Sequence, residues 1–201
     1  MQTQAYDNAM SFLRAWFLGV INPSRMFGEL KSKPAPQWGL WAVLVSSIVS
    51  SLTTFLPLYM LGRVPFSRSI LSILPTDQYY RAQVFFFPVF ALAVWLLMSG
   101  VAHVILRLSN KEGNFDQILN IAGISGLVFM PVDWLWDWTA IALNWYQMTA
   151  MAIAHSIFAL WEVILITIGF KKILQLKPMV GAALAIIMVA VSITLATLFV
   201  R

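Results

Sequence analysis

The sequence predicts an all-α polytopic membrane protein, a bundle of five transmembrane helices preceded by an in-plane amphipathic N-terminal region. Three observations carry this. Of 201 residues, 60% are hydrophobic and 10% charged, with a mean hydropathy of +0.80, whereas soluble domains hold roughly 45–50% apolar and about 25% charged residues. The apolar residues fall in five runs of the length that crosses roughly 30 Å of hydrocarbon, about 20 residues. The runs are also continuous, while strands of a membrane barrel would alternate apolar and polar over about ten residues. The apolar content excludes disorder. Zero cysteines exclude a disulfide scaffold, thiolate metal centres and cysteine nucleophiles. No period of roughly 20–50 residues marks a solenoid.

Residues 1–37 form the first unit and 38–201 the membrane domain. Tyr6, Met10, Leu13, Phe17 and Val20 share one helical face, and Asp7, Ser11 and Arg14 lie on another, the pattern of a helix lying in the membrane surface. Asp7, Arg14 and Asn22-Pro23 argue against a signal peptide. Asn22 is suited to cap a second short helix with Pro23 at its first position, carrying Met26, Phe27 and Leu30. Lys33-Pro34-Ala35-Pro36 then makes a stiff elbow, and Trp38 and Trp41 anchor the first span at the headgroups. The spans are placed at 38–61, 82–106, 117–135, 146–170 and 179–200. Between the first two, Ile70, Leu71, Ile73 and Leu74 are too few to cross and are expected to dip into the outer interface, with Tyr79 and Tyr80 as a belt.

Orientation follows from the lysines and arginines. With the N-terminus inside, nine lie on the inner side (Arg14, Arg25, Lys31, Lys33, Arg107, Lys111, Lys171, Lys172, Lys177) and four outside (Arg63, Arg68, Arg81, Arg201). Positive loops stay cytoplasmic, so the N-terminus is expected inside and the C-terminus outside, in the inner membrane if the cell is bacterial. The net charge of +5 then reads as topology and attraction of the N-terminal helices to anionic lipid. The basic residues are scattered between spans, so no nucleic-acid face is expected.

Ionisable residues inside a bilayer are candidate functional groups, and their depth decides their reading. Asp133 and Asp137 stand one turn apart, roughly 24 and 30 Å along span three from Gln117. That is the level of the outer headgroups, and Trp134, Trp136, Trp138, Trp145 and Tyr146 surround them. Pro131 is placed to end or kink the helix just before. Asp133, Asp137, Trp134 and Trp138 are therefore expected in a wet interfacial segment rather than in a catalytic or ion-binding dyad. His103, one turn from Arg107, is expected at the cytoplasmic boundary. His155 lies near the outer boundary, two turns from Glu162. No other metal-ligating residue stands at helical spacing around it, so it is expected to bond a neighbour.

Glu162 lies roughly 14 Å from Lys171, near the midplane, where an unpaired carboxylate costs several kcal/mol. Ser99, Ser125, Ser46 and Ser47 fall at similar depth and are the expected partners of a neutral, hydrogen-bonded Glu162; Gly100, Gly123 and Gly126 join them. Ser46, Ser50 and Thr54 recur at four-residue spacing, as do Gly181 and Ala185, and such small residues let helices approach closely. There is no H-E-x-x-H, phosphate-binding glycine loop, G-x-S-x-G elbow or glycosylation sequon. No catalytic residue, metal site or cofactor is expected.

The chain resembles the Yip family, five-span membrane proteins named for interaction with Ypt and Rab GTPases, over nearly its whole length. The resemblance rests on Asn22-Pro23-Ser24-Arg25-Met26-Phe27 before the proline elbow, on Gly123, Ser125 and Pro131 in span three, and on Trp161 to Lys172 followed by Met179 to Ala185. It implies membrane organisation or trafficking through protein and lipid contacts, with no catalysis, and assembly with itself or another membrane protein. Eukaryotic relatives carry a longer N-terminal region implicated in GTPase contact. Here 37 residues precede the first predicted span, as in short prokaryotic members, which argues against GTPase contact. The competing reading is a small proton- or ion-coupled transporter or channel centred on Glu162, although five spans do not divide into the repeats that transporters show.

Overall fold

The computed structural model describes residues 12–32, 37–66 and 74–200. Those residues are mostly helical, with no strand among them. Tyr6 and Met10 of the predicted first helix, the Lys33–Pro36 elbow, and Ile70, Leu71 and Ile73 of the outer loop lie outside the described residues.

Two short helices come first, α1 (Phe12–Ile21) and α2 (Pro23–Leu30). The Asn22 carboxamide oxygen accepts the backbone N–H of Arg25 at 3.0 Å, which satisfies one orphan donor of the helix that Pro23 opens. The pair runs antiparallel. Arg14 meets Glu29 at 3.6 Å near one end, and Gly19 lies against Met26 near the other. Ala15, Leu18, Met26, Phe27 and Leu30 are buried, α1 against α6 and α2 against α7. Leu13, Phe17, Val20 and Ile21 face outward.

The first span is α3 (Gln37–Ser50), a π-turn (Ser51–Phe55) and α4 (Leu56–Met60). The wide turn has an identifiable cause. Pro57 has no N–H to return to the carbonyl four residues back, and its ring crowds that carbonyl; one step earlier, the Leu56 N–H reaches to Ser51 O instead, the longer spacing that defines a π-turn. The other spans are α5 (Tyr79–Leu108), α6 (Phe115–Ala142), α7 (Met148–Ile173) and α8 (Pro178–Phe199). All five are long and apolar enough to cross a membrane. Asn110 and Asn144 take positive φ of 52° and 60° where α5 and α6 end, the left-handed conformation that terminates helices and that asparagine tolerates.

The third span departs from expectation. It was expected to finish at Leu135, with Pro131 ending or kinking it, but α6 runs on to Ala142. A proline inside a helix deletes one hydrogen bond, and neighbouring helices compensate in a membrane bundle. Asp133 and Asp137 therefore sit on continuous helix.

The centre of the bundle is the contact between α3 and α6. Gly39 and Gly123 bring the two backbones together, and a Cβ on Gly123 would stand 2.4 Å from the Gly39 carbonyl oxygen. Just beside them the buried Asn120 side chain accepts the Gly39 N–H at 2.8 Å, so one helix supplies the N-terminal cap of the other. The Trp95 indole N–H of α5 donates to the Leu119 carbonyl, also at 2.8 Å. On the other side α8 seats Gly181 and Ala185 on α7. At its far end the Phe199 carbonyl accepts from the Tyr79 hydroxyl at 2.6 Å and from the Gln83 amide at 2.8 Å. The spans turn Phe85, Ile157, Leu160 and Ile186 outward, as lipid-facing helices do.

Candidate functional site

At the end of the bundle away from α2, three elements converge on a polar cluster. Asp133, Asp137 and Ala140 form an inward stripe on α6 at four- and three-residue spacing, and the two aspartates are 8% and 4% exposed. From the π-turn, the Thr54 hydroxyl donates to Asp137 Oδ2 at 2.8 Å. One turn earlier, Ser50 Oγ accepts the Trp134 indole N–H at 2.8 Å. From α7, His155 Nε2 stands 3.3 Å from Asp133 Oδ1. Its Nδ1 lies 2.8 Å from the Met151 carbonyl oxygen. A carbonyl only accepts, so Nδ1 carries the proton and Nε2 is the nitrogen turned to the carboxylates.

The loop after α6 closes over the cluster. Trp145 and Tyr146 N–H groups both return to the Ala140 carbonyl, at 2.7 and 3.0 Å. Phe66 stacks on Tyr146 with ring centroids 5.5 Å apart, and Arg63 donates to the Asn144 side chain. Burial first, and then the nearby Asp137 carboxylate, push the Tyr146 hydroxyl well above the ordinary tyrosine range, so it remains a neutral phenol.

One donor atom each from Asp133, Asp137 and His155 lie within 4.8 Å of one another. Asp137 Oδ1 is buried and accepts no hydrogen bond, and buried Asp133 Oδ1 has only the His155 ring nitrogen beside it. Two carboxylates and an imidazole nitrogen so arranged can share protons or hold a cation. The sequence placed the aspartates by depth alone; the structure adds that they face the bundle. His155 bonds neighbours as expected, the Met151 carbonyl of its own helix and Asp133 of α6, and the second of these was not visible from its own helix. Of the two tryptophans grouped with them, Trp134 is turned inward onto Ser50 and Trp138 is exposed.

The expected midplane layer is not assembled. Glu162 is half-buried and makes no hydrogen bond or ion pair with Ser99, Ser125, Ser46 or Ser47 among the described residues. Ser46 and Ser47 bond the Val43 carbonyl of their own helix at 3.1 and 2.7 Å. Ser99 and Ser125 are fully buried with unpaired hydroxyls. Of the small residues expected at helix contacts, Ser50 and Thr54 reach across to α6 through their hydroxyls. His103 has its ring against Phe115, 5.4 Å between centroids.

Two features went unread in the sequence. Asn120 stands in the apolar run Ile118-Leu119-Asn120-Ile121 and is 1% exposed. A lone amide at that depth is itself a signal that another helix supplies its partner. Gly39, between Trp38 and Leu40, gave no periodic signal, because its counterpart is on another span.

A search of curated proteins and of solved structures finds no match to the chain. The family model described as the Yip1 domain matches residues 18–200, which takes in the Asn22 to Phe27 entry, Gly123 to Pro131 and Trp161 to Ala185. With five apolar helices of spanning length, the chain is an integral membrane protein that belongs to the Yip1 domain family.

Proposed function

We propose that this protein organises the membrane without catalysing a reaction, acting through contacts with lipid and with other membrane proteins, and that the α1–α2 pair is its lipid-reading element. One observation supports this above the rest. α1 has two apolar sides: Ala15, Leu18 and Gly19 are spent on the bundle, while Leu13 and Phe17, 74% and 58% exposed, face outward with Val20 and Ile21. An apolar row of that kind, continuous with the lipid-facing spans and flanked by the exposed Arg25 and Lys31, has the chemistry of a bilayer contact with anionic headgroups nearby. Some small residues at helix contacts are used inside the chain, as at Gly39 with Gly123 and Gly181 with Phe170.

An excised N-terminal peptide is a poor test, because it would bare Met26, Phe27 and Leu30, which the bundle covers. The absence of cysteine offers a cleaner one. A single Phe17→Cys, labelled with an environment-sensitive dye in the full chain reconstituted in anionic vesicles, is expected to be quenched by lipid-borne nitroxides and ignored by aqueous iodide. Quenching by iodide alone overturns the lipid reading.

A further inference from the structure

We propose that Asp133, Asp137 and His155 form a binding site for a divalent first-row transition-metal cation of the zinc class, which clamps α6, α7 and the π-turn together. The proposal is independent of the lipid contact of α1.

The donor set fits in number, kind and spacing. Zinc is bound by imidazole nitrogen and carboxylate oxygen at about 2.0–2.2 Å, so tetrahedral neighbours lie about 3.4 Å apart. His155 Nε2 and Asp133 Oδ1 already stand 3.3 Å apart, and all three donor atoms fall within 4.8 Å. Asp137 supplies the third atom of the triangle. The imidazole disfavours magnesium and calcium, which take oxygen ligands in larger number.

Two of the three ligands, His155 and Asp137, are oriented by a second group. His155 gives its Nδ1 proton to the Met151 carbonyl at 2.8 Å, the contact by which metal-bound histidines set their tautomer and present the other nitrogen as a lone pair. Thr54 holds Asp137 Oδ2 at 2.8 Å. That leaves Asp137 Oδ1, on a residue 4% exposed, without any hydrogen bond, while Asp133 Oδ1 has His155 Nε2 beside it at 3.3 Å. A buried carboxylate oxygen without a partner, as at Asp137 Oδ1, carries a cost that a bound cation would offset.

Charge points the same way. Two carboxylates and a neutral imidazole carry two negative charges, and one divalent cation brings the site to zero, the state an apolar bundle favours. Access is available from the histidine side, since the His155 side chain is 49% exposed. Three protein ligands leave a fourth position for water. The rival arrangement is an ion pair of His155 with one aspartate, the other being protonated, and it needs no metal.

The experiment uses the full chain, purified in detergent without an affinity tag, stripped with EDTA, then equilibrated with zinc and desalted. The wild type is expected to retain one zinc per chain by elemental analysis and to gain thermal stability, with manganese weaker and magnesium inert. Asp137→Asn and His155→Gln should each lose the zinc, while His103→Gln and Glu162→Gln keep it. Thr54→Val, which removes only the hydroxyl orienting Asp137, should weaken binding about 10- to 100-fold yet still reach one zinc at saturation. His155 is partly exposed, so its variant folds even if Asp137→Asn does not. No zinc on the wild type, or equal zinc on the folded His155→Gln protein, overturns the proposal in favour of the protonated ion pair.

Discussion

The two ends of the contact between the first and third spans hold together by opposite means. At the foot, near α2, side chains are removed: Gly39 and Gly123 bring backbone against backbone, and the Asn120 amide oxygen takes the Gly39 N–H. At the far end side chains are kept and made polar, with Ser50 to Trp134 and Thr54 to Asp137 crossing the same pair of helices. Close approach is rigid and intolerant of added volume. Polar crossing is adjustable, because each hydroxyl also has the option of bonding its own helix, as Ser46 and Ser47 do. The far end can therefore change side chains at lower cost than the foot.

The largest expected effect tests the foot. Gly123→Val places branched carbon where a Cβ alone would stand 2.4 Å from a backbone oxygen and 2.6 Å from the Gly39 Cα. Neither atom is the end of a flexible side chain, so the helices must separate. Overpacking of this kind costs about 3 kcal/mol, enough to lower the apparent Tm in detergent by many degrees or to prevent recovery of folded protein. Gly126→Val, where nothing stands within 4 Å of an added Cβ, is the matched control and should be recovered normally. Equal recovery of the two would break the distinction between the ends.

A middle-sized effect sharpens it. Asn120→Leu strands the Gly39 N–H in the bundle interior, and a buried donor left unpaired costs about 1–3 kcal/mol. Trp134→Phe removes a donor from Ser50, whose hydroxyl can turn to its own helix, so the loss is nearer the roughly 0.6 kcal/mol average for interhelical bonds. Unfolding of both variants by SDS in mixed micelles should rank Asn120→Leu as clearly the more damaging; the reverse order would show the far end to be the rigid one.

How much of this was legible follows from what each feature depends on. Five spans are a property of local runs, and hydropathy with a length requirement pointed to all five long apolar helices, with the third helix running on past Leu135. There Pro131 was weighted as a stop, although it removes only one donor from a helix that neighbours support. The asparagine-proline start of α2 was also local, needing only Asn22 to reach Arg25. By contrast, Thr54 and Asp137 are 83 positions apart and Gly39 and Asn120 81. Depth arithmetic put Asp133 and His155 near the same boundary but said nothing of which way each faced. The tryptophans around the aspartates suggested a wet interface, while one of them, Trp134, points inward. Glu162 drew notice as the midplane carboxylate, yet rotation about the helix axis, which depth does not report, leaves its expected serines unbonded to it.

The smallest expected effect lies between the two ends, at Glu162, and it decides between the scaffold and transport readings. Glu162 makes no hydrogen bond or ion pair among the described residues, so Glu162→Gln and Glu162→Leu remove no partner. Both should fold, and each should differ from wild type by under about 1 kcal/mol, with leucine the more stable because it spares an unpaired polar group in an apolar span. A hydrogen-bonded midplane layer predicts the opposite, glutamine tolerated and leucine costly, because leucine would leave serine hydroxyls unpaired. A proton or ion path predicts a third pattern, in which both variants keep the wild-type Tm but abolish pH-driven flux in proteoliposomes, since neither can exchange charge. Measuring Tm and flux on the same preparations separates the three. Flux in the wild type that disappears in a folded Glu162→Gln protein would overturn the non-transporting reading. Without flux, a stable leucine variant leaves Glu162 as a passenger on α7 and the far end of the bundle as the place where polar chemistry is concentrated.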